Sequence, residues 1–371
     1  MRYLMIVFIF LSTICVPFVS AANLDGHVEP SEYSMLLAAQ NVPTGFGDNI
    51  SELDAVYANI GTDGSLELAI TGNLETNGNT IVIFFDTRAG GAVKDILEGG
   101  YGQLGAFGGQ KVDDWGTDID GGSGVYSPPG GGSILDRSFN PDFALEFNLE
   151  GSTRYLNVID MTVPNDPNQI NRDIYLGCAL LGDPNVTFEY WRDNGTTYSG
   201  YVVHAIDNGN SQGVLGYDFG NPPGPLGDPL SATSGIEFLF SPEFLAQQAG
   251  RNIKLMIFIT NGGGDYLSNQ FLPPLGNVPN IGGPGDIGGE PLFDARLFDG
   301  NQYITIAPAG CIVNFDDIAV LALYWMENCT MPPYCQGADL NNSSSIDTGD
   351  LKIVCDNWLD PCPINWSIEI Y

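Results

Sequence analysis

Ser65-Leu66-Glu67-Leu68-Ala69-Ile70 alternates polar and apolar residues, the period of a strand with one buried face. Shortly after it, Thr80-Ile81-Val82-Ile83-Phe84-Phe85 is a nearly unbroken β-branched and aromatic run, which predicts a strand covered on both faces. Outward from these two, strand signals return at Ala144–Leu149, Tyr155–Met161, Ile174–Leu180, Val186–Trp191, Gly200–Ile206, Gly235–Phe240, Lys254–Ile259 and Gln302–Ile306. Glycine and proline punctuate the intervals, as in Gly121-Gly122-Ser123-Gly124 and Pro222-Pro223-Gly224-Pro225. This pattern predicts a mainly β protein, with a large β-sandwich over residues 22–308. Short helices are expected at Ser31–Ala39, Ser51–Ala58 and Pro242–Ala249.

The 371 residues suffice for one large domain and a small one, and 43% apolar content can fill a sizeable core. Acidic residues number 45 against 12 basic ones, a net charge of −33. Nucleic acid and anionic membranes need a basic footprint, so neither is an expected partner. Such acidity favours solubility and cation binding in an external medium. Residues 1–21 carry Arg2, an apolar run through Val19, and small residues at Ser20 and Ala21. That is the layout of a secretory signal peptide cleaved near Ala21. No later stretch has spanning length, so the mature chain is expected to be secreted or held at a cell surface by non-covalent contacts.

After Ala307-Pro308-Ala309-Gly310 the period becomes helical. Val313–Trp325 aligns without gaps on Ile346–Trp358. In each copy an apolar stripe recurs at helical spacing: Ile318, Leu321, Ala322 and Trp325, then Leu351, Val354, Cys355 and Trp358. Residues 309–371 therefore read as a pair of loop–helix repeats whose stripes pack on each other.

The second loop has calcium chemistry. With Asp339 as the first position, Asn341, Ser343, Ser345, Asp347 and Asp350 fall where an EF-hand-type loop places its oxygen ligands. Ser345 would offer its backbone carbonyl. Serine replaces the common aspartate at Ser343, and Ser344 replaces the glycine of the sharp turn. The matching positions of the first loop are Ile306, Pro308 and Gly310, which carry no side-chain oxygen, so that loop is expected to hold no ion.

With Asp339-Leu340-Asn341 and the Asp350-Leu351 helix start, this module resembles a type I dockerin with a degenerate first repeat. The resemblance implies calcium as cofactor and attachment to a cohesin-like or cell-surface partner. The alternative is a disulfide-stapled helical pair with no partner.

Cys311 and Cys362 bracket the module, and Cys329 and Cys335 bracket a short link. In an oxidising compartment these read as two disulfides, contributing about 4 and about 2.4 kcal/mol by loop-closure entropy. Cys178 and Cys355 are expected to be buried free thiols.

Catalytic constellations are harder to find. The two histidines, His27 and His204, have no zinc-ligand spacing, and His204 reads as a structural residue of a strand. Asp113, Asp114, Asp118 and Asp120 surround Trp115, a pattern that reads as calcium binding by a loop or as solvation rather than as a catalytic carboxylate pair. Trp115, Tyr126, Tyr190 and Trp191, with Tyr198 and Tyr201 nearby, stand in or beside polar loops as candidate sugar-stacking rings.

Leu24-Asp25-Gly26-His27-Val28-Glu29, Leu66–Glu75, Ile83-Phe84-Phe85-Asp86 and Gly235-Ile236-Glu237-Phe238 are similar to DOMON-like and family-nine-like carbohydrate-binding β-sandwiches. The resemblance implies a jelly-roll-type sandwich and assigns no ligand-binding residue. The leading expectation is a secreted, non-enzymatic β-sandwich that binds glycan or a surface. A polysaccharide-degrading enzyme and a structural matrix protein are the alternatives.

Overall fold

The computed structural model describes residues 22–91, 135–136, 139–162, 173–192, 198–217, 225–247, 251–264, 266–282, 293–329 and 334–368. Two antiparallel sheets dominate it. The first runs in the order β1 (Met35–Ala39), β2 (Glu52–Ile60), β3 (Leu66–Asn73), β10 (Gly235–Phe240), β9 (Tyr198–Ile206), β8 (Val186–Arg192). The second runs β12 (Leu267–Leu272), β11 (Ile253–Thr260), β4 (Asn77–Asp86), β5 (Phe143–Glu150), β6 (Thr153–Asp160), β7 (Asp173–Leu180). β13 (Ile304–Ile306) shares the edge of β11 with β12.

The period of two decides which side chains meet. Leu66, Leu68 and Ile70 of β3 join Ile81, Ile83 and Phe85 of β4 in one core between the sheets. Val82 and Phe84 point the other way, into a second cluster with Phe258, Phe271, Phe293 and Tyr303. β4 is thus covered on both faces, as its continuous apolar run requires. A third cluster, with Tyr33, Ala55, Tyr57 and Ala69, covers the far face of the first sheet. Each large apolar side chain so buried contributes roughly 1.5–3 kcal/mol.

Two expected helices are strands. Ser31–Ala39 divides into a short 3-10 turn at Pro30–Glu32 and strand β1, while Ser51–Ala58 becomes most of β2. One face of β2 lies in the inter-sheet core through Leu53 and Val56 and the other joins the Tyr33 cluster through Ala55 and Tyr57, and its polar residues Glu52 and Asp54 are fully buried. Tertiary pairing overrides the local pattern there. The third helix forms only over α1 (Pro242–Leu245), capped by Ser241 and stopped by Ala246 in a left-handed conformation.

Beyond β13 lie α2 (Phe315–Leu323) and α3 (Thr348–Asp356). Cys311–Cys362 and Cys329–Cys335 are disulfides, each with Cα atoms 5.4 Å apart. Cys178 and Cys355 are free, as expected, but exposed rather than buried. Cys178 lies on edge strand β7. Cys355 is turned outward because each helix buries the side of its inward-facing aspartate instead: Asp317 with Leu321, Asp350 with Val354. The predicted stripe is rotated accordingly, leaving Ala322 and Trp325 exposed. Among the described residues, no helix is long and apolar enough to cross a membrane.

Candidate functional site

The two loop–helix units obey a local two-fold symmetry. Asn314 caps α2 and Asp347 caps α3, each in a reciprocal box with the aspartate three residues on, Asp317 or Asp350. Val313 N donates to Asp360 O at 3.0 Å and Leu359 N to Val313 O at 2.9 Å. The same exchange joins Ile346 N to Glu327 O at 3.3 Å and Met326 N to Ile346 O at 2.9 Å. Met326 and Leu359, the matching turn residues, have φ of 65° and 64°.

The symmetry fails at the loops. In the second, Asp339 Oδ1 accepts from Ser343 N at 2.9 Å and Oδ2 from Ser344 N at 2.7 Å. Asn341 Oδ1 also accepts from Ser343 N, at 2.9 Å. Asp350 closes the loop, accepting from Asn341 N at 3.2 Å and Asp347 N at 2.9 Å. Ser343 Oγ donates to Ser345 O at 2.9 Å. Ser344 makes the sharp turn with φ of 72°, doing what glycine commonly does at some cost in strain. Asp350 is fully buried, and burial, then the charges of Asp350 and Asp347, raises the Asp339 pKa.

This donor set suits a hard cation. It is all oxygen, and an oxygen that accepts one N–H keeps a second lone pair. Among the described residues no three His, Cys, Asp or Glu side chains are gathered tightly enough to hold a metal by themselves. A calcium ion here would therefore need Asn341 and the Ser345 carbonyl beside Asp339, Asp347 and Asp350.

In the first loop the counterparts do something else. Ile306 is a buried residue of β13, and Cys311, matching Ser344, is tied to Cys362. Asp317 Oδ2 accepts from Asn314 N at 2.8 Å, and its Oδ1 accepts from the indole Nε1 of Trp366 at 2.9 Å. A disulfide thus stands where the second loop turns at Ser344, and the indole gives Asp317 Oδ1 the bond that Asn341 N gives Asp350 Oδ1. Trp366 lies past both repeats, so repeat alignment gives no hint of this role.

The four predicted aromatic ligands fall outside the described side chains. Trp115 and Tyr126, with the Asp113–Asp120 cluster, lie outside them. Tyr190 and Trp191 belong to β8, but their side chains lie outside them too. His204 is fully buried on β9 among Phe147, Phe188 and Phe238, and its pKa is lowered to about 3 by burial and by Arg154.

Sequence reading missed a pocket of about 380 Å³ at one end of the first sheet. Asp48 and Asn49 come from the β1–β2 connection; residues 211–215, Gly227, Asp228 and Ser231 come from the β9–β10 connection. Behind its floor are two fully buried carboxylates of β2. Glu52 accepts from Asn49 N at 2.9 Å, and Asp54 from Val214 N at 2.6 Å. Asn210 donates to both, at 3.3 and 2.9 Å. Gly213 lies so close to the Asp54 carboxylate that a Cβ there would collide with it. Burial raises Glu52 to about 8, helped by Asp54, and raises Asp54 to about 7. Asn73, opposite Glu52 in the β2–β3 register, donates to Asn208 O and Asn210 O, and its buried Oδ1 has no donor.

Comparison with family models, curated proteins and solved structures finds no match. The chemistry of these sites therefore carries the functional reading alone.

Proposed function

We propose that this is a secreted, non-enzymatic β-sandwich that binds carbohydrate at a surface and is held there through a calcium-binding, dockerin-like C-terminal module. The observation that carries the reading is the symmetric helix pair with one oxygen-lined loop closed by a buried carboxylate. Asp339, Asn341, Asp347 and Asp350 would hold the ion, with Ser343 and the Ser345 carbonyl completing the shell. Bound calcium supplies the positive charge that these converging carboxylates otherwise lack. Its role is structural, since an ion that binds only the folded chain stabilises it by about 2.7 kcal/mol at a hundred times its dissociation constant.

The outward face of the pair supports docking through one helix. Phe315, Leu323 and Met326 are 75%, 69% and 74% exposed on and beside α2. Their α3 counterparts are Thr348, Asp356 and Leu359, a more polar set. A cohesin-like partner with an apolar face and a basic rim would complement α2 and the acidic chain around it. Carbohydrate as the cargo's ligand is supported by the sandwich architecture and its end pocket.

Calorimetry on the full chain tests the calcium assignment. Asp350→Asn should remove one calcium equivalent and most of the melting-temperature rise that calcium gives the wild type; it should also melt earlier in chelator, because an amide cannot accept from both Asn341 N and Asp347 N. Equal calcium uptake by wild type and variant would sink it.

A further inference from the structure

Ala22 is fastened to the first sheet through its own backbone nitrogen. It packs on the Tyr33 cluster that covers the far face of that sheet, and its N donates to Glu67 Oε2 at 3.3 Å. Glu67 is half-buried on β3, opposite Asn59 in the β2–β3 register. Asn59 aims the carboxylate. Its Nδ2 donates to Glu67 Oε2 and to Glu32 O, each at 2.8 Å, while its Oδ1 accepts from Ser34 N at 2.6 Å. A few residues on, the fully buried Glu237 of β10 accepts from Asp25 N at 2.8 Å, Gly26 N at 2.7 Å and Tyr33 Oη at 2.5 Å. Val28 N then donates to Thr233 O at 2.8 Å, and Gly235 N donates to Gly26 O at 3.0 Å. The fold therefore sets where the nitrogen of Ala22 lies.

We propose that Ala21–Ala22 is the bond cut on export and that Glu67 receives the ammonium group that the cut creates. This deepens the secreted reading above and rests on it. Two neighbouring bonds suit the small-residue pattern of a leader: Val19-Ser20-Ala21 precedes one, and Ser20-Ala21-Ala22 precedes the next. A cut after Ala22 would discard the residue that packs on the sheet and donates to Glu67. A cut after Ala21 keeps it. In that cut water adds to the Ala21 carbonyl carbon and the C–N bond breaks. The leader leaves as a carboxylate, and the proton passes to the Ala22 amine. One amide hydrogen facing Glu67 becomes an ammonium with three. The bond becomes charge-assisted, roughly twice as strong as its neutral form. The neighbouring charges favour the new cation. The Glu32 carboxylate accepts from the backbone of Asn23, and Glu29 and Asp25 lie within electrostatic reach of it, with His27 the weakest of these influences. Processing thus tightens the sheet at the point where the leader departs.

Glu67→Gln isolates the charge, because the amide oxygen can still accept from Asn59 Nδ2. The test uses the exported product, a chain made to begin at Ala22 and a chain made to begin at Ser20, which keeps Ala22 N as an amide. Intact mass should place the exported N-terminus at Ala22. At low salt the Ala22 form should melt about 2 °C above the Ser20 form. Glu67→Gln should erase that difference, and added salt should shrink it. Titration of the α-amine by NMR should show its proton held about tenfold more tightly than at an ordinary terminus, where the pKa is about 8, and Glu67→Gln should undo this. An exported product beginning at Asn23 would overturn the proposal and leave secretion standing; one beginning at Met1 would remove both. Equal melting of the Ala22 and Ser20 forms, or an α-amine of ordinary proton affinity in the wild type, would also overturn it and leave Glu67 serving Asn59 alone.

Discussion

Glu52 and Asp54 are buried on β2 with their charges resisted by their surroundings, and that makes stability depend on pH in a definite direction. A carboxylate whose pKa is higher folded than unfolded binds its proton more tightly in the native state. Its contribution is complete below the unfolded value and is lost as pH rises through the folded one, here from about 4 to about 8 for Glu52. Glu52→Gln should therefore flatten the decline of melting temperature above neutrality and stabilise the chain at pH 8 by a few kcal/mol, to order of magnitude. An unchanged pH profile in the variant would contradict this. His204 acts oppositely. Its depressed value means that the unfolded chain takes up a proton first, so stability is complete above about 6.5 and declines toward about 3. His204→Leu should remove that acid-side decline. At this scale the sequence was only partly legible. His204 reads correctly as a strand residue, but nothing local to Ser51–Ala58 shows that Glu52 and Asp54 will be enclosed by β1, β3 and the β9–β10 connection.

At the scale of the element, the first half of the C-terminal pair turns its aspartate to internal bonds. The indole of Trp366 donates to a carboxylate that is 1% exposed. Trp366→Phe keeps a large ring but leaves that oxygen unsatisfied, which costs about 1–3 kcal/mol. The variant should melt earlier yet take up the same number of calcium ions as the wild type. A second equivalent appearing would mean that the first loop retains a working ion site. Asp317→Ala should likewise lower stability and spare calcium, since the residue serves the helix cap and the indole. The helix positions were legible from the apolar period, and so were both disulfides. The orientation of each helix was not, because the inward turn of Asp317 and Asp350 follows from capping, which hydrophobic spacing ignores. The strands adjoining the two opening runs were found for the same reason that the runs were: alternation is local. β12 was missed because Leu267–Leu272 contains Ser268, Asn269 and Gln270, all fully buried and hydrogen-bonded, which look exposed on paper.

Across the whole molecule, the last described residues return to the sandwich. Asn365 N donates to Thr305 O at 2.9 Å, and Thr305 N donates to Asn365 Oδ1 at 2.9 Å. Asn252 Nδ2 donates to the backbone oxygen of Trp366 at 2.8 Å, while Ile364 packs on the inter-sheet core. The composition shift at residues 307–310 was legible as the start of a new segment; this return path was not, since it depends on contacts between distant residues. Differential scanning calorimetry should show one shared transition for the full chain and two when Asn252→Ala and Asn365→Ala together cut the tail's side-chain bonds to the sandwich while leaving Trp366 in place. Two transitions in the intact chain would show that the tail contributes no coupling.

The returning tail also decides what kind of mount the module can be. The chain leaves the sandwich from β13, and the tail comes back to the same strand at Thr305. A single covalent link lets a load swivel; two neighbouring fastenings on one strand act as a bracket. Copies fixed by their modules to a common surface would then all face the same way, and the end pocket would be aimed by the anchor instead of sweeping freely around it.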